Sequence, residues 1–61
     1  MNEDKLKALE YVKKDGMVLK NAIQFQDDFD VCLEAVKQNQ NAYRFISPKL
    51  KNSHEFRKKI L

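Results

Sequence analysis

Residue types able to do chemistry are few and scattered along the chain. Cys32 is the sole thiol and His54 the sole imidazole. A zinc site or a base-assisted nucleophile needs partners at suitable spacing, and neither residue has them. Cys32 sits in the apolar run Val31-Cys32-Leu33, where a lone cysteine behaves as a small packed hydrophobe. His54 is expected in the exposed first turn of a last helix, away from it. Asp27-Asp28-Phe29-Asp30 invites a calcium reading, but a calcium loop alternates oxygen donors around a glycine and ends on a bidentate acid. This segment has no glycine and reads as a helix cap whose carboxylates face the positive helix end. Glu10 and Glu34 invite a paired-carboxylate site, yet each is followed three residues later by a lysine, Lys13 or Lys37. That is the spacing of an exposed helical ion pair. With Gly16 as the single glycine there is no phosphate loop. No catalytic, metal-ligating or cofactor-binding set is expected, and the chain reads as non-enzymatic.

Charge is the next feature with chemical consequences. The net charge of +3 is unevenly spread. Up to Tyr43 acids slightly outnumber bases. From there on Arg44, Lys49, Lys51, Arg57, Lys58 and Lys59 face only Glu55. This group concentrates positive potential at one end and is the candidate contact for an anionic surface or nucleic acid. The other candidate contact is apolar: Phe56, Ile60 and Leu61 close the sequence and would suit a protein partner or a second copy if exposed.

The elements that position these residues follow from apolar spacing. Leu6, Leu9 and Val12, flanked by Ala8 and Tyr11, put a helix over about Lys5 to Lys14, with Asp4 as its cap and Asp15-Gly16 as its stop. A short helix is expected from Met17 to about Gln24, with Val18, Leu19, Ala22 and Ile23 apolar and Phe25 anchoring the loop. Asp27 or Asp28 caps a third helix to about Gln38, in which Phe29, Leu33 and Val36 share a face beside Cys32 and Ala35. Ala42, Tyr43, Phe45 and Ile46 form a fourth that stops near Ser47-Pro48. Pro48-Lys49-Leu50 suits one turn, and Asn52 or Ser53 caps a last helix carrying Phe56 and Ile60. Tyr11, Tyr43, Phe25 and Phe45 are read as core aromatics.

An internal repeat organises these elements. Ala8-Leu9-Glu10-Tyr11-Val12-Lys13-Lys14-Asp15 aligns with Cys32-Leu33-Glu34-Ala35-Val36-Lys37-Gln38-Asn39, an offset of 24 residues. Val18-Leu19-Lys20 then falls on Ala42-Tyr43-Arg44, and after a one-residue slip Asp30-Val31 falls on Glu55-Phe56. The fold class is therefore all-α: a small bundle of about five short helices built from two helix-loop-helix repeats in one domain. Repeat one covers about residues 4–27, repeat two about 28–52, and a partial third unit 53–61. Stacked units of this kind bury their apolar faces against one another.

Leu33-Glu34-Ala35-Val36-Lys37-Gln38-Asn39, followed by Ala42-Tyr43-Arg44-Phe45-Ile46-Ser47 and Leu50-Lys51-Asn52, resembles the repeat of the bacterial and protist helical family catalogued as domain of unknown function 4116. The likeness covers about Asp27 to Phe56 well and the first half more loosely. Gln40 stands where that family commonly has glycine, whereas Gly16 keeps it in the first unit. The resemblance implies a helical-repeat fold in a bacterial protein and no particular activity.

A polar start, no apolar run near the roughly 18 residues of a membrane span, and one unpaired cysteine lead to the expectation of a cytoplasmic protein that is not in the membrane. A domain this small buries only about 60% of the surface it exposes when unfolded. The expected function is a helical-repeat interaction or scaffold module, with a protein partner or self-association; nucleic-acid binding or regulation through the basic C-terminal third is the alternative.

Overall fold

Acidic Glu3 and Asp4 in its first turn and basic Lys13 and Lys14 in its last complement the dipole of the first helix, α1, Asn2–Lys14. The computed structural model describes residues 2–60, and all its regular elements are helical, with no strand among the described residues. Leu61 lies outside the described residues. Asp4 lies inside α1 rather than capping it, because the acidic first turn extends the helix backwards to Asn2. Asp15 then accepts a hydrogen bond from the Met17 N–H at 3.0 Å and opens a 3-10 helix, Gly16–Lys20. A second 3-10 helix, Ile23–Phe25, follows directly. The single helix expected over Met17 to Gln24 is thus two tight pieces, and Ile23 is 73% exposed rather than apolar core.

Asp28 caps α2, Phe29–Gln38, by accepting from the Val31 N–H at 3.1 Å. Asn39 repeats the Asp15 arrangement 24 residues on, accepting from the Asn41 N–H at 2.9 Å and opening a third 3-10 helix, Gln40–Phe45. Ser47 caps the single turn α3, Pro48–Lys51, which has proline at its favoured first position. Ser53 accepts from the Phe56 N–H at 3.3 Å at the start of α4, His54–Ile60.

One apolar cluster joins all four α-helices: Ala8 and Val12 from α1, Leu19, then Val31, Cys32, Ala35 and Val36 from α2, Ala42, Ile46, Leu50 and Phe56. Phe56 is completely enclosed, with its ring edge-on to Phe29 at a centroid distance of 5.4 Å and 88° between planes. Burying such a ring contributes about 1.5–3 kcal/mol, and the edge-on pair about 0.5–1.5 more. Leu6 and Tyr11 depart from the expected pattern, at 59% and 56% exposure. Ala8 and Val12 define the inward direction of α1, and at 100° per residue Leu6 points almost opposite to it. Tyr11 points along one edge, which nothing covers.

Gly16 does not close α1 through a left-handed conformation, since its φ is not positive. Its requirement is the absence of a side chain. A Cβ there would collide with the Ala35 carbonyl oxygen and crowd the Gln38 side chain. Gln38 grips the same corner, with Oε1 accepting from the Gly16 N–H at 2.6 Å and Nε2 donating to the Lys14 carbonyl at 3.3 Å. Gly16→Ala is expected to destabilise the protein by about 1–3 kcal/mol through overpacking against backbone. That outweighs the gain of about 0.4–1 kcal/mol from a stiffer unfolded chain. Urea unfolding followed by circular dichroism checks this; a midpoint equal to or above that of the natural sequence would count against the corner contact.

Candidate functional site

The acidic segment is absorbed by structure. Asp28 caps α2; the Asp27 carboxylate accepts from the Ser47 hydroxyl at 2.6 Å; and Lys5 from α1 bridges Asp28 at 3.4 Å and Asp30 at 3.1 Å. The hydrogen bond to Asp30, then the charge of Asp28, hold the Lys5 ammonium above the ordinary lysine range. The stability linked to that shift is present below the usual lysine pKa and lost as pH rises through the raised value. The ion pairs expected at Glu10–Lys13 and Glu34–Lys37 do not form, and among the described residues the ion pairs run between α1 and the start of α2 instead. Lys5 finds two carboxylates side by side, one of them, Asp28, held in place by its cap, a better anchor than a lysine one turn away on an exposed face.

Cys32 is fully enclosed, and its sulfur lies 3.2 Å from both the Phe25 and the Gln26 carbonyl oxygens, so the S–H donates to one or the other. His54 is exposed at the start of α4. A thiol in the core and an imidazole on the surface form no pair.

Of the apolar contact candidates, Phe56 is a correction. It is the largest fully buried side chain and is held against Phe29, so it presents nothing to a partner. Ile60 is half-buried and folds back beside Val36, Gln40 and Tyr43 around an open cavity of about 320 Å³. Leu61 lies outside the described residues. The basic candidates stay on the surface: Arg44, Lys49, Arg57, Lys58 and Lys59 are exposed, while Lys51 is half-covered with its ammonium 5.7 Å from the centre of the Tyr43 ring. On α4, Phe56 and Ile60 face inward, which fans Arg57, Lys58 and Lys59 around the solvent side rather than along one line. Glu55 sits with Lys58 and Lys59 in the same surface depression.

The feature that sequence reasoning missed is a cleft beside α1, an open cavity of about 320 Å³. One wall is Asp4, Lys7, Ala8, Tyr11 and Val12 of α1. The other is Val18, Asn21, Ala22, Gln24 and Phe25. Its base is apolar and its rim polar, the general form of a binding cleft. A signal for it existed in the 24-residue alignment, where Lys7 and Tyr11 stand against the apolar Val31 and Ala35.

The family model described as "Domain of unknown function (DUF4116)" matches residues 4–51 and, in a second, overlapping match, residues 28–61. Neither a curated protein nor a solved structure matches the chain. No helix of the described residues is long and apolar enough to cross a membrane.

Burial pushes the Cys32 thiol up from 9.0 to about 12. Native Cys32 is expected to react with a disulfide exchange reagent at pH 8 about 100-fold or more slowly than in concentrated urea, since reaction must wait for opening of a core worth roughly 3–5 kcal/mol. Equal rates would place the thiol outside the core. Because the folded-state value is the higher one, the native thiol keeps its proton while the unfolded one loses it. The Cys32 contribution to stability is therefore complete below about pH 9 and falls as pH rises towards about 12.

Proposed function

We propose that the chain, which belongs to the family of Domain of unknown function (DUF4116), is a non-enzymatic helical-repeat module whose work is to bind another protein. The observation that carries the reading is a recurrence at one interval. The two family-model matches begin at residues 4 and 28, 24 positions apart, and the same interval separates Asp15 from Asn39, each of which opens a 3-10 helix with its own side chain. A slip of one residue carries the Asp28 cap of α2 onto the Ser53 cap of α4. Two units and the start of a third, packed in series, leave outer faces that correspond in position to the buried ones, and extended surfaces of this kind suit partner binding.

Further support comes from how the polar groups are used. Asp27, Asp28 and Asp30 cap, bridge and tie loops; Cys32 is a core residue. Meanwhile Leu6, Tyr11 and Ile23 leave large apolar area in solvent. A cytoplasmic location accords with the single unpaired thiol.

A second reading, nucleic-acid binding, is favoured by the five exposed bases Arg44, Lys49, Arg57, Lys58 and Lys59. Their spread around α4 and the interposed Glu55 make it the weaker of the two. Light scattering of the chain with and without duplex DNA separates them. On the interaction reading the mass is indifferent to DNA at about 50 mM and at about 200 mM salt. A shift onto DNA at the lower salt that disappears at the higher, and is abolished by Lys58→Glu with Lys59→Glu, would transfer the function to the basic surface.

A further inference from the structure

The cleft beside α1 has a counterpart one unit further on, and the counterpart is full. Moving 24 positions along the chain carries Lys7, Ala8 and Tyr11 onto Val31, Cys32 and Ala35, and Val18 and Ala22 onto Ala42 and Ile46. The second set is buried throughout. What fills its cleft is the 3-10 segment of the first unit. The Cys32 thiol meets the carbonyls of Phe25 and Gln26, the Ser47 N–H donates to the Gln26 carbonyl at 2.8 Å, and the Gly16–Lys20 helix packs against both α2 and Gln40–Phe45. Leu19 ends completely enclosed in that seat. The first set stands open: Ala8 is buried at its base and Val18 and Ala22 are half-covered, but Lys7 and Tyr11, where Val31 and Ala35 stand one unit on, are exposed along it.

We propose that the cleft between α1 and Val18–Phe25 is a docking site for a short helical segment of a partner protein, with the chemistry of this chain's own Leu19-Lys20-Asn21-Ala22-Ile23-Gln24-Phe25. That chemistry is an aliphatic anchor, a small residue three positions on and an aromatic three beyond it, on a backbone whose last carbonyls need donors. The inference rests on the interaction-module reading and names its surface and partner class. Where Cys32 serves the carbonyls in the filled cleft, the aligned Ala8 has no donor, but Lys7 and the Tyr11 hydroxyl on the rim of the empty one supply donors in its place. Lys14 stands where Gln38 grips the Gly16 corner, and a lysine offers donors alone. The segment therefore docks through its side-chain anchors and carbonyls without a glycine corner. A second copy of the chain is a poor occupant, because its own Leu19 and Gln26 are already engaged in its interior.

The test is a nuclear magnetic resonance titration of the isotope-labelled full chain with a synthetic peptide of residues 17–27. Saturable shifts confined to Ala8, Tyr11, Val18, Ala22 and Phe25 are expected. Affinity should fall about ten-fold or more when the peptide carries Leu19→Asp, since a charge then enters an apolar seat. It should also fall when the chain carries Lys7→Glu or Tyr11→Ser, both exposed positions at which the fold is retained. No shift at about 1 mM peptide, a standard binding energy weaker than roughly 4 kcal/mol, would overturn the proposal. So would concentration-dependent shifts in the cleft without peptide, which would make a second copy the occupant. Shifts centred on Val36, Tyr43 and Ile60 would sink the cleft and leave the interaction module standing. A chain that ignores the peptide and instead loads DNA at low salt through Arg57 to Lys59 would sink both.

Discussion

Residues 14–16 must accept a second helix at backbone contact, and that requirement propagates through the molecule. The Ala35 carbonyl sits where a Gly16 side chain would be, and Gln38 closes the contact by accepting from the Gly16 N–H and donating to the Lys14 carbonyl. A side-chain amide can do both at once, accepting through its oxygen and donating through its nitrogen. With α2 fixed against this corner, Leu19 has nowhere to go but beneath it, and the chain between the two helices is drawn into 3-10 geometry, which covers a short distance in tight turns. Gln26 then donates to the Leu19 carbonyl and receives the Ser47 N–H, so the position of α3 is set by the same corner two steps removed.

Polar side chains elsewhere serve the same end. The three acids at the start of α2 divide this work: Asp28 caps the helix's own first turn and shares Lys5 of α1 with Asp30, and Asp27 holds the loop before α3 through Ser47. The Lys5 pairs lie at the surface and add little to stability, while linking α1 to the start of α2. A protein with so small an interior uses its charges to choose between packings that its apolar residues would tolerate almost equally.

Most local signals in the sequence were dependable. The span of α2 and the stop and restart at Ser47-Pro48 are decided within four residues and are found as read, and of the cap pairs Asp27 or Asp28 and Asn52 or Ser53 the second member of each does the capping. Beyond the Asp4 cap and the one-turn ion pairs, which failed locally, the failures involve residues whose surroundings are built from afar. Leu6 and Tyr11 fit the apolar spacing of α1, but spacing says which residues line up and not which neighbour arrives to cover them; α2 covers Ala8 and Val12 alone. Ile23 fits a continuous helix from Met17, and the 3-10 geometry imposed by the Gly16 corner turns it outward. Phe56 looked like an end to be offered to a partner, and its burial follows from Phe29, whose half-exposed ring was waiting at the start of α2. Of the candidate surfaces, the basic one was visible as a charge run; the cleft beside α1 showed only indirectly, in Lys7 and Tyr11 standing against apolar Val31 and Ala35 one unit on.

The two edges of the chain are unlike for a reason that lies in single positions. At the far edge α4 supplies Phe56, which reaches the place that Val31 occupies one unit earlier, and its outer surface carries Arg57, Lys58 and Lys59. A short helix with one large anchor and a charged back covers the apolar face of α2 at this edge. Gln40, standing where Gly16 stands in the first unit, presents a side chain at the position where α2 made backbone contact, and Ile60 rests beside it around an open cavity instead of a closed corner. The near edge has no such cover. There Ala8, Val18 and Ala22 keep the small apolar character of a seat, while Lys7 and Tyr11 replace residues that are buried one unit later. Small residues at the base with a cation and a phenol at the rim suit a surface that must stay dissolved when empty and still offer donors when filled. That asymmetry leaves one edge covered and the other, along α1, open to solvent with the apolar base of a cleft.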